Sequence, residues 1–257
     1  MIKKIIKSVL GMINGAKYPV FNESEMKSIP NQSSIAFVIP STIDISRDSL
    51  NYSTTRTIYS TEDRLRQTIK SIESIREKVP GAHIFLSEGG KTDFKEQLAS
   101  LVDHYMYLGN ENVVRSAVDS KLKNLGEMEI LLRTFPLTAS YDFTFKLSGR
   151  YWLSEDFDLA NYDSEHMNFK NYVPHRTDFP FGPSSYIKGS HSTRLFSVPK
   201  SLHPELMDEL NRILPDIKSG SVIEKTIGKY IKGKYFFYIR QLGCAGFIAV
   251  NGDEIRE

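Results

Sequence analysis

Apolar stretches alternate with amphipathic stretches over the first 150 residues of the chain. The apolar stretches are short and mostly β-branched or aromatic, which is typical of strands buried on both faces of a parallel sheet. They comprise residues 34–42, 83–86, 104–108 and 142–147. Helical patterns lie between them, over residues 61–78, 92–102 and 127–135. The alternation predicts a single α/β domain with a doubly wound, mostly parallel sheet.

The helix over residues 61–78 has the clearest pattern. Its apolar stripe consists of Leu65, Ile69, Ile72 and Ile75. Thr61 is the expected N-cap, and Pro80 with Gly81 ends the helix. Gly126 is expected to precede the helix over residues 127–135.

The pattern changes after residue 150. Residues 151–190 are rich in aromatic residues, Asp, Pro and Gly, and predict a long loop, a kind of segment that is often functional. Later elements are expected as a strand at 193–198, helices at 204–214 and 221–231, and strands at 235–239 and 247–250. The chain thus divides into a lead-in of residues 1–33, a first half of residues 34–150, and a loop-rich second half of residues 151–257.

Composition and charge narrow the classes of function. Of 257 residues, 40% are hydrophobic and 25% charged, so a normal core is available. A formal net charge of +2 gives no sign of a dedicated basic face, and we expect no nucleic-acid partner. Cys244 is the only cysteine, so the chain has neither an intramolecular disulfide nor a cysteine metal site, and we interpret it as a buried structural thiol.

The N-terminal residues 1–13 mix lysines with apolar side chains. The apolar run is too interrupted for a membrane span or a signal peptide, so we expect a soluble, cytoplasmic protein. A short basic helix that caps the domain is the favoured interpretation. The alternative is peripheral membrane contact through the same residues.

Polar residues follow three of the predicted strands at their carboxyl ends, where open parallel sheets bind ligands. These segments are residues 40–42, 87–89 and 148–150. None of them matches a P-loop or the Gly-x-Gly-x-x-Gly fingerprint. Arg56, Arg64 and Lys121 are cations that could face phosphates near this edge, with a solvated surface position as the alternative for each.

Several segments resemble the GT-A glycosyltransferases. They are Gln67-Thr68-Ile69, residues 84–88, residues 121–127 and, most specifically, residues 145–152, which also resemble glycan-synthesis proteins of bacteria and large viruses. The resemblance covers roughly residues 34–160. It implies a UDP- or GDP-type sugar donor bound by residues 34–150, and a glycan or other hydroxyl acceptor bound beside catalytic residues in 151–257.

One departure from the family concerns the metal. A typical GT-A enzyme ends this strand with Asp-x-Asp, which binds a divalent cation against the diphosphate, whereas this chain has Ser148-Gly149-Arg150. We interpret Arg150 as neutralising the donor diphosphate. Asp156 and Asp158 form a literal Asp-x-Asp slightly later, so Mn²⁺ or Mg²⁺ is compatible with the sequence without being required.

The strand ends, the cations near them and the need for a general base supply the candidate site residues. The candidates for donor binding are Ser41, Thr42, Arg56, Glu88, Lys121, Ser148, Gly149 and Arg150. Glu224 is the first choice for a general base, with Asp178, His191 and Asp156 as runners-up, and His191 lies in a stretch that we interpret as a lid over the donor.

Two alternative functions stay open. A non-catalytic module that binds a nucleotide or sugar would also lack the Asp-x-Asp motif. A sugar nucleotidyltransferase is less favoured, because residues 40–44 hold no glycine-rich loop after the first strand.

Overall fold

The computed structural model describes residues 26–30, 32–172, 190–232 and 235–257. The strands are β1 Ile35–Ser41, β2 His83–Glu88, β3 His104–Tyr107, β4 Phe143–Leu147, β5 Tyr151–Leu153, β6 Met167–Phe169, β7 Asn171–Tyr172, β8 Ser190–His191, β9 Leu195–Pro199, β10 Phe236–Tyr238, β11 Cys244–Phe247 and β12 Glu254–Arg256. The helices are α1 Thr61–Lys78, α2 Lys95–Leu98, α3 Asn112–Asp119, α4 Lys123–Thr134, α5 His203–Lys218 and α6 Ile223–Thr226.

The central sheet has seven strands in the order β10-β6-β9-β4-β1-β2-β3. Strand β1 pairs in parallel with β2 and β4, and β2 pairs in parallel with β3. Strand β9 runs antiparallel to both of its neighbours, β4 and β6, while β10 is parallel to β6. The predicted mostly parallel α/β sheet is therefore confirmed, with one reversed strand among those described.

Both faces of the sheet are covered by helices. Alternate residues of each strand point to opposite faces, so each strand contributes to two cores. On one face, Phe37 and Ile39 of β1 pack in a core that includes Ile72 and Ile75 of α1. On the other face, Ala36 and Val38 join a core built from residues of α4 and α5. The doubly wound arrangement follows from this pattern.

A small three-stranded sheet, in the order β12-β11-β5, lies beside the central one. Strand β5 follows β4 after the turn at residues 148–150, and α1 packs against it. The backbone N–H of Leu153 donates to the Ser74 hydroxyl at 2.9 Å. This contact fixes the chain directly after the turn that the sequence singled out.

The boundaries of α1 agree with the prediction, but its N-cap is Ser60 and not Thr61. The Ser60 hydroxyl accepts the Asp63 N–H at 3.0 Å, and the Asp63 carboxylate accepts the Ser60 N–H at 3.0 Å. This reciprocal pair is a capping box, which satisfies two donors at the start of the helix.

Two helices of the first half differ from the prediction. Helix α4 begins at Lys123, so Gly126 lies inside it and not before it. A Cβ at Gly126 would lie 2.9 Å from Cα of Val118 in α3, so glycine allows the two helices to pack closely. Helix α3 was not predicted, and the helix expected over residues 92–102 is a short α2 followed by a 3-10 turn.

The second half needs more correction. The described part of residues 151–190 contains strands β5, β6, β7 and β8, each too short to show a periodic pattern. The helix expected over residues 221–231 is limited to α6, since Ile227 leaves helical geometry with a ψ of 131° and Gly228 follows with a φ of +90°. The strand expected over residues 247–250 lies earlier, at β11, where it pairs with β5. Among the described residues, no helix is long and apolar enough to cross a membrane.

Candidate functional site

A cleft opens beyond the carboxyl ends of β1 and β4, and measures about 780 Å³ when counted out to its open mouth. Its walls come from residues 40–42 at the end of β1, the first turns of α4, and residues 148–150 after β4. Two of the three predicted strand-end segments therefore meet in one cleft.

The turn at Ser148-Gly149-Arg150 is held tightly against the end of β1. The Gly149 N–H donates to the Pro40 carbonyl at 3.3 Å, and the Thr68 hydroxyl of α1 donates to the Gly149 carbonyl at 3.0 Å. A Cβ at Gly149 would lie 3.1 Å from the Pro40 oxygen, closer than ordinary contact. Glycine thus lets the turn lie against β1 and present Arg150 to the cleft.

The side chain of Arg150 has a buried donor without a partner in the described part of the chain. Its Nη1 is buried and has no hydrogen-bond partner among the described residues. Buried donors are nearly always paired, because an unpaired one costs about 1–3 kcal/mol, and more when it belongs to a charged group. An anionic ligand in the cleft would satisfy this donor.

Two further cations line the same cleft, Arg64 of α1 and Lys123 of α4. The Lys123 side chain is exposed but stands in a concavity walled by protein, and this desolvation, with Arg150 adding repulsion, lowers its pKa to about 8. Burial first and Arg150 second lower the pKa of Arg64 to about 9, so it stays charged at neutral pH. These cations repel one another in the free protein, and a bound anion would relieve that repulsion.

Arg56 also lines the cleft, but its guanidinium is committed to the backbone. It donates to the carbonyls of Asp48 at 3.0 Å, Val118 at 2.6 Å and Asp119 at 3.3 Å, and also to that of Ser120. These contacts satisfy the carbonyls at the end of α3. Arg56 therefore contributes positive charge to the wall, while its guanidinium donates its hydrogen bonds to the backbone.

One carboxylate, that of Glu127 on α4, lines the cleft among the described residues. It is bound by Nζ of Lys146, a fully buried lysine of β4 that also donates to the Ser148 hydroxyl at 2.7 Å and to the Thr193 carbonyl. Burial opposes ionisation, but attraction and hydrogen bonding from Lys146 outweigh it and lower the pKa of Glu127. Glu127 is therefore an anion in a cationic cleft.

The other predicted donor-binding residues are distributed unevenly. Ser41 and Thr42 line the cleft, and the Thr42 carbonyl accepts from Nε of Arg64 at 2.9 Å. Glu88 is fully buried outside the wall, where it accepts the N–H groups of Ile43 at 2.9 Å and Gly90 at 2.6 Å. Its burial raises its pKa, although these hydrogen bonds oppose the shift. Lys121 is exposed and does not line the cleft.

The candidate bases lie in different surroundings. Glu224 is half-buried on α6 and accepts from Nδ2 of Asn124 at 3.3 Å, next to the start of α4. His191 lies in β8, stacked on Phe236 and in contact with the Tyr238 hydroxyl at 3.0 Å, and burial lowers its pKa to about 4. His191 is therefore a neutral, buried side chain outside the cleft wall. Asp178 lies outside the described residues.

A divalent cation does not fit the described residues of this cleft. Asp156 and Asp158 are both exposed and outside the wall, and Asp158 accepts the Ala160 N–H at 2.9 Å. Within the described ranges no three side chains of His, Cys, Asp or Glu are grouped as a metal site. The carboxylate that does line the cleft, Glu127, is already bound to Lys146 among several cations.

Three residues of this site are not among the predicted candidates. Lys123 was missed because the helix that carries it was expected to begin at residue 127, and Glu127 was expected only as the first residue of that helix. Lys146 left a visible signal, because a lysine inside a strand that reads as buried on both faces needs an anionic partner.

Comparison with known proteins gives little further information. No family model matches the chain, and no curated protein matches it. A solved structure that aligns with it is a glycosyltransferase involved in the glycosylation of the major capsid of PBCV-1. The two share 9% identity over 80% of each chain, with a TM-score of 0.40. A likeness at this level supports no statement about function.

Proposed function

We propose that this protein is a glycosyltransferase of the GT-A type that transfers a sugar from a UDP- or GDP-linked donor to a hydroxyl acceptor. The single observation that carries the proposal is the buried, unpaired Nη1 of Arg150 in a cleft at the carboxyl ends of β1 and β4. A diphosphate fits this environment because it brings the acceptor oxygens and negative charge that the cleft lacks.

The charge of the cleft supports a diphosphate over a neutral ligand. Arg64, Lys123 and Arg150 lie close enough for their charges to act on one another, and one anion, Glu127, faces them from the described wall. The start of α4 adds a helix N-terminus, which also favours phosphate. The three cations would be stabilised by a ligand carrying about two negative charges.

The transfer of a sugar, as opposed to simple binding, rests on the resemblance of residues 145–152 and on a base near the cleft. Glu224 is the proposed base, because its carboxylate lies beside the start of α4 and remains half exposed to an incoming hydroxyl. His191 is a weaker choice, since its buried ring lies outside the cleft wall.

We further propose that Arg150, Lys123 and Arg64 together neutralise the diphosphate without a divalent cation. Arginine presents a planar fork of donors that matches phosphate oxygens. The charge that a metal would supply is already present in the cleft wall.

A binding and turnover assay tests the proposal. UDP, GDP, UDP-glucose and GDP-mannose are added separately with EDTA present, and melting temperature is measured for the wild type. At a ligand concentration of about 100 times Kd, we expect a stabilisation of about 2.7 kcal/mol from at least one of the nucleotides. If no nucleotide shifts the melting temperature, the proposal is wrong. Release of nucleoside diphosphate from the bound donor then separates an enzyme from a non-catalytic binding module.

Donor affinity is expected to fall as pH rises through about 8, the pKa of Lys123 in the free protein. Below this pH the ammonium group is charged and contributes its full attraction; above it, binding must take up a proton, with a limiting slope of about tenfold per pH unit. Titration calorimetry with a nucleotide sugar between about pH 7 and pH 9 measures the profile. In Lys123→Arg, which stays charged, the profile should be much flatter, with only the onset of the Arg64 titration left near pH 9. A slope equal to that of the wild type would rule out Lys123 as its source.

A further inference from the structure

Glu127 has no place in a site built only to bind a diphosphate. Its carboxylate lines the same cleft as Arg64, Lys123 and Arg150, and it repels phosphate oxygens. Two unit charges 4 Å apart at the surface of a protein interact with roughly 4 kcal/mol. Glu127 compensates the buried ammonium of Lys146, but that role alone does not require its carboxylate to face the cleft.

The structure holds Glu127 firmly in its ionised form. Lys146 is fully buried beneath it and directs its ammonium group to three acceptors, the Glu127 carboxylate, the Ser148 hydroxyl and the Thr193 carbonyl. The Glu127 side chain nevertheless keeps 23% of its surface exposed. The carboxylate is therefore fixed on one side by Lys146 and remains available to a ligand on the other.

An ionised carboxylate accepts hydrogen bonds and donates none. Lys123 and Arg150 also act on this carboxylate, but both are proposed to bind the diphosphate. The donor left for the exposed side of Glu127 is then a neutral group next to the phosphates. The hydroxyl groups of a sugar linked to the diphosphate meet this description. Amide and amino groups of a nucleobase also donate, but Glu127 shares the ammonium of Lys146 with Ser148, the first residue of the turn that presents Arg150. This places the carboxylate at the end of the cleft where the phosphates are proposed to bind.

We infer that Glu127 is a specificity-determining residue that accepts hydrogen bonds from hydroxyl groups of the donor sugar. The inference rests on the proposed function and deepens it, because it assigns one side chain to the sugar and separates it from the cations that bind the diphosphate. A donor with a polyhydroxylated sugar is then selected over the free nucleoside diphosphate, whose extra terminal charge Glu127 repels.

The test compares two affinities in two variants. Dissociation constants for UDP and UDP-glucose, or for GDP and GDP-mannose, are measured by titration calorimetry on the wild type, Glu127→Gln and Glu129→Gln. Glu129 is a matched control, because it lies on the same helix and forms an ion pair with Arg133 at 2.9 Å outside the cleft wall. In Glu127→Gln we expect the free diphosphate to bind equally or more tightly and the nucleotide sugar to bind more weakly, so that the preference for the sugar falls about tenfold. In Glu129→Gln the preference should be unchanged.

The outcomes separate the inference from the function on which it rests. If the wild type binds neither ligand, the proposed function fails. If nucleotides bind but Glu127→Gln keeps the preference of the wild type, the inference is overturned while the function stands. An equal loss of both ligands would place Glu127 at the nucleobase or in a purely structural role, and it also overturns the inference. Binding of the diphosphate by Glu127→Gln shows that this variant is folded.

Discussion

Replacing Arg150 by alanine is expected to weaken the binding of a nucleotide-sugar donor by about 30-fold, which corresponds to about 2 kcal/mol, the usual contribution of hydrogen bonds to a charged group. The free protein should be as stable as the wild type, or more stable. Both expectations come from one atom, the buried Nη1 that has no partner among the described residues. Without ligand this donor is an uncompensated cost, and the repulsion of Lys123 and Arg64 adds to it.

Opposite changes in stability and affinity are the signature of a residue kept for binding. Urea denaturation measures the first and titration calorimetry with UDP or GDP sugars measures the second. Arg66→Ala is the matched control, because Arg66 lies on α1, is mostly exposed, and pairs with Glu62 at 2.6 Å. Arg150→Lys keeps the charge but loses the planar fork, and should bind with intermediate affinity. A marked loss of stability in Arg150→Ala with unchanged affinity would show that Arg150 is structural.

Replacing Lys146 by methionine is expected to lower the free energy of unfolding by about 3 kcal/mol, because it breaks a buried ion pair and leaves acceptors without their donor. Three groups lose a hydrogen bond: the Glu127 carboxylate, the Ser148 hydroxyl and the Thr193 carbonyl. Methionine has nearly the length of lysine, so the volume of the core is kept. The loss of stability therefore measures the removal of the ammonium group. The variant Lys200→Met, at an exposed position, should change stability little.

The double variant Lys146→Met with Glu127→Gln should be more stable than the sum of the two single changes predicts. Once Glu127 is neutral, the missing ammonium leaves no uncompensated charge. A double-mutant cycle in urea gives this coupling directly. Strict additivity would mean that the two side chains do not depend on each other, contrary to the contact seen between them.

The longer strands of the sheet could be predicted from the sequence, whereas the shortest ones could not. Strands β1, β2 and β4 are buried on both faces, so they appear as continuous apolar runs. Strands such as β6 and β10 have only three residues each, which leaves no periodic pattern to detect. Strand β6 joins the sheet through β9, and β10 pairs with β6, so each depends on a partner distant along the chain.

The candidate site could be predicted mainly where it coincides with the ends of strong strands, although Arg56 and Arg64, predicted as cations near that edge, also line the cleft. Ser41, Thr42 and Arg150 were found because they follow β1 and β4. Lys121 was chosen where Lys123 lines the cleft, since helix α4 begins four residues before its expected start. The unpaired state of Arg150 and the ion pair beneath Glu127 depend on packing in three dimensions, and no spacing in the sequence encodes either of them.

Folding of the first half of the chain depends on strand β9, which belongs to the second half. This strand supplies the neighbour of β4, and without it the five apolar or buried residues Phe143–Leu147 would present an unpaired row of backbone groups at an open edge. Such an edge invites pairing between chains and aggregation. A fragment that ends near residue 160 should therefore associate with itself, even though it contains most of the cleft wall. On the ribosome, the nascent sheet remains open on that side until residue 199 has emerged.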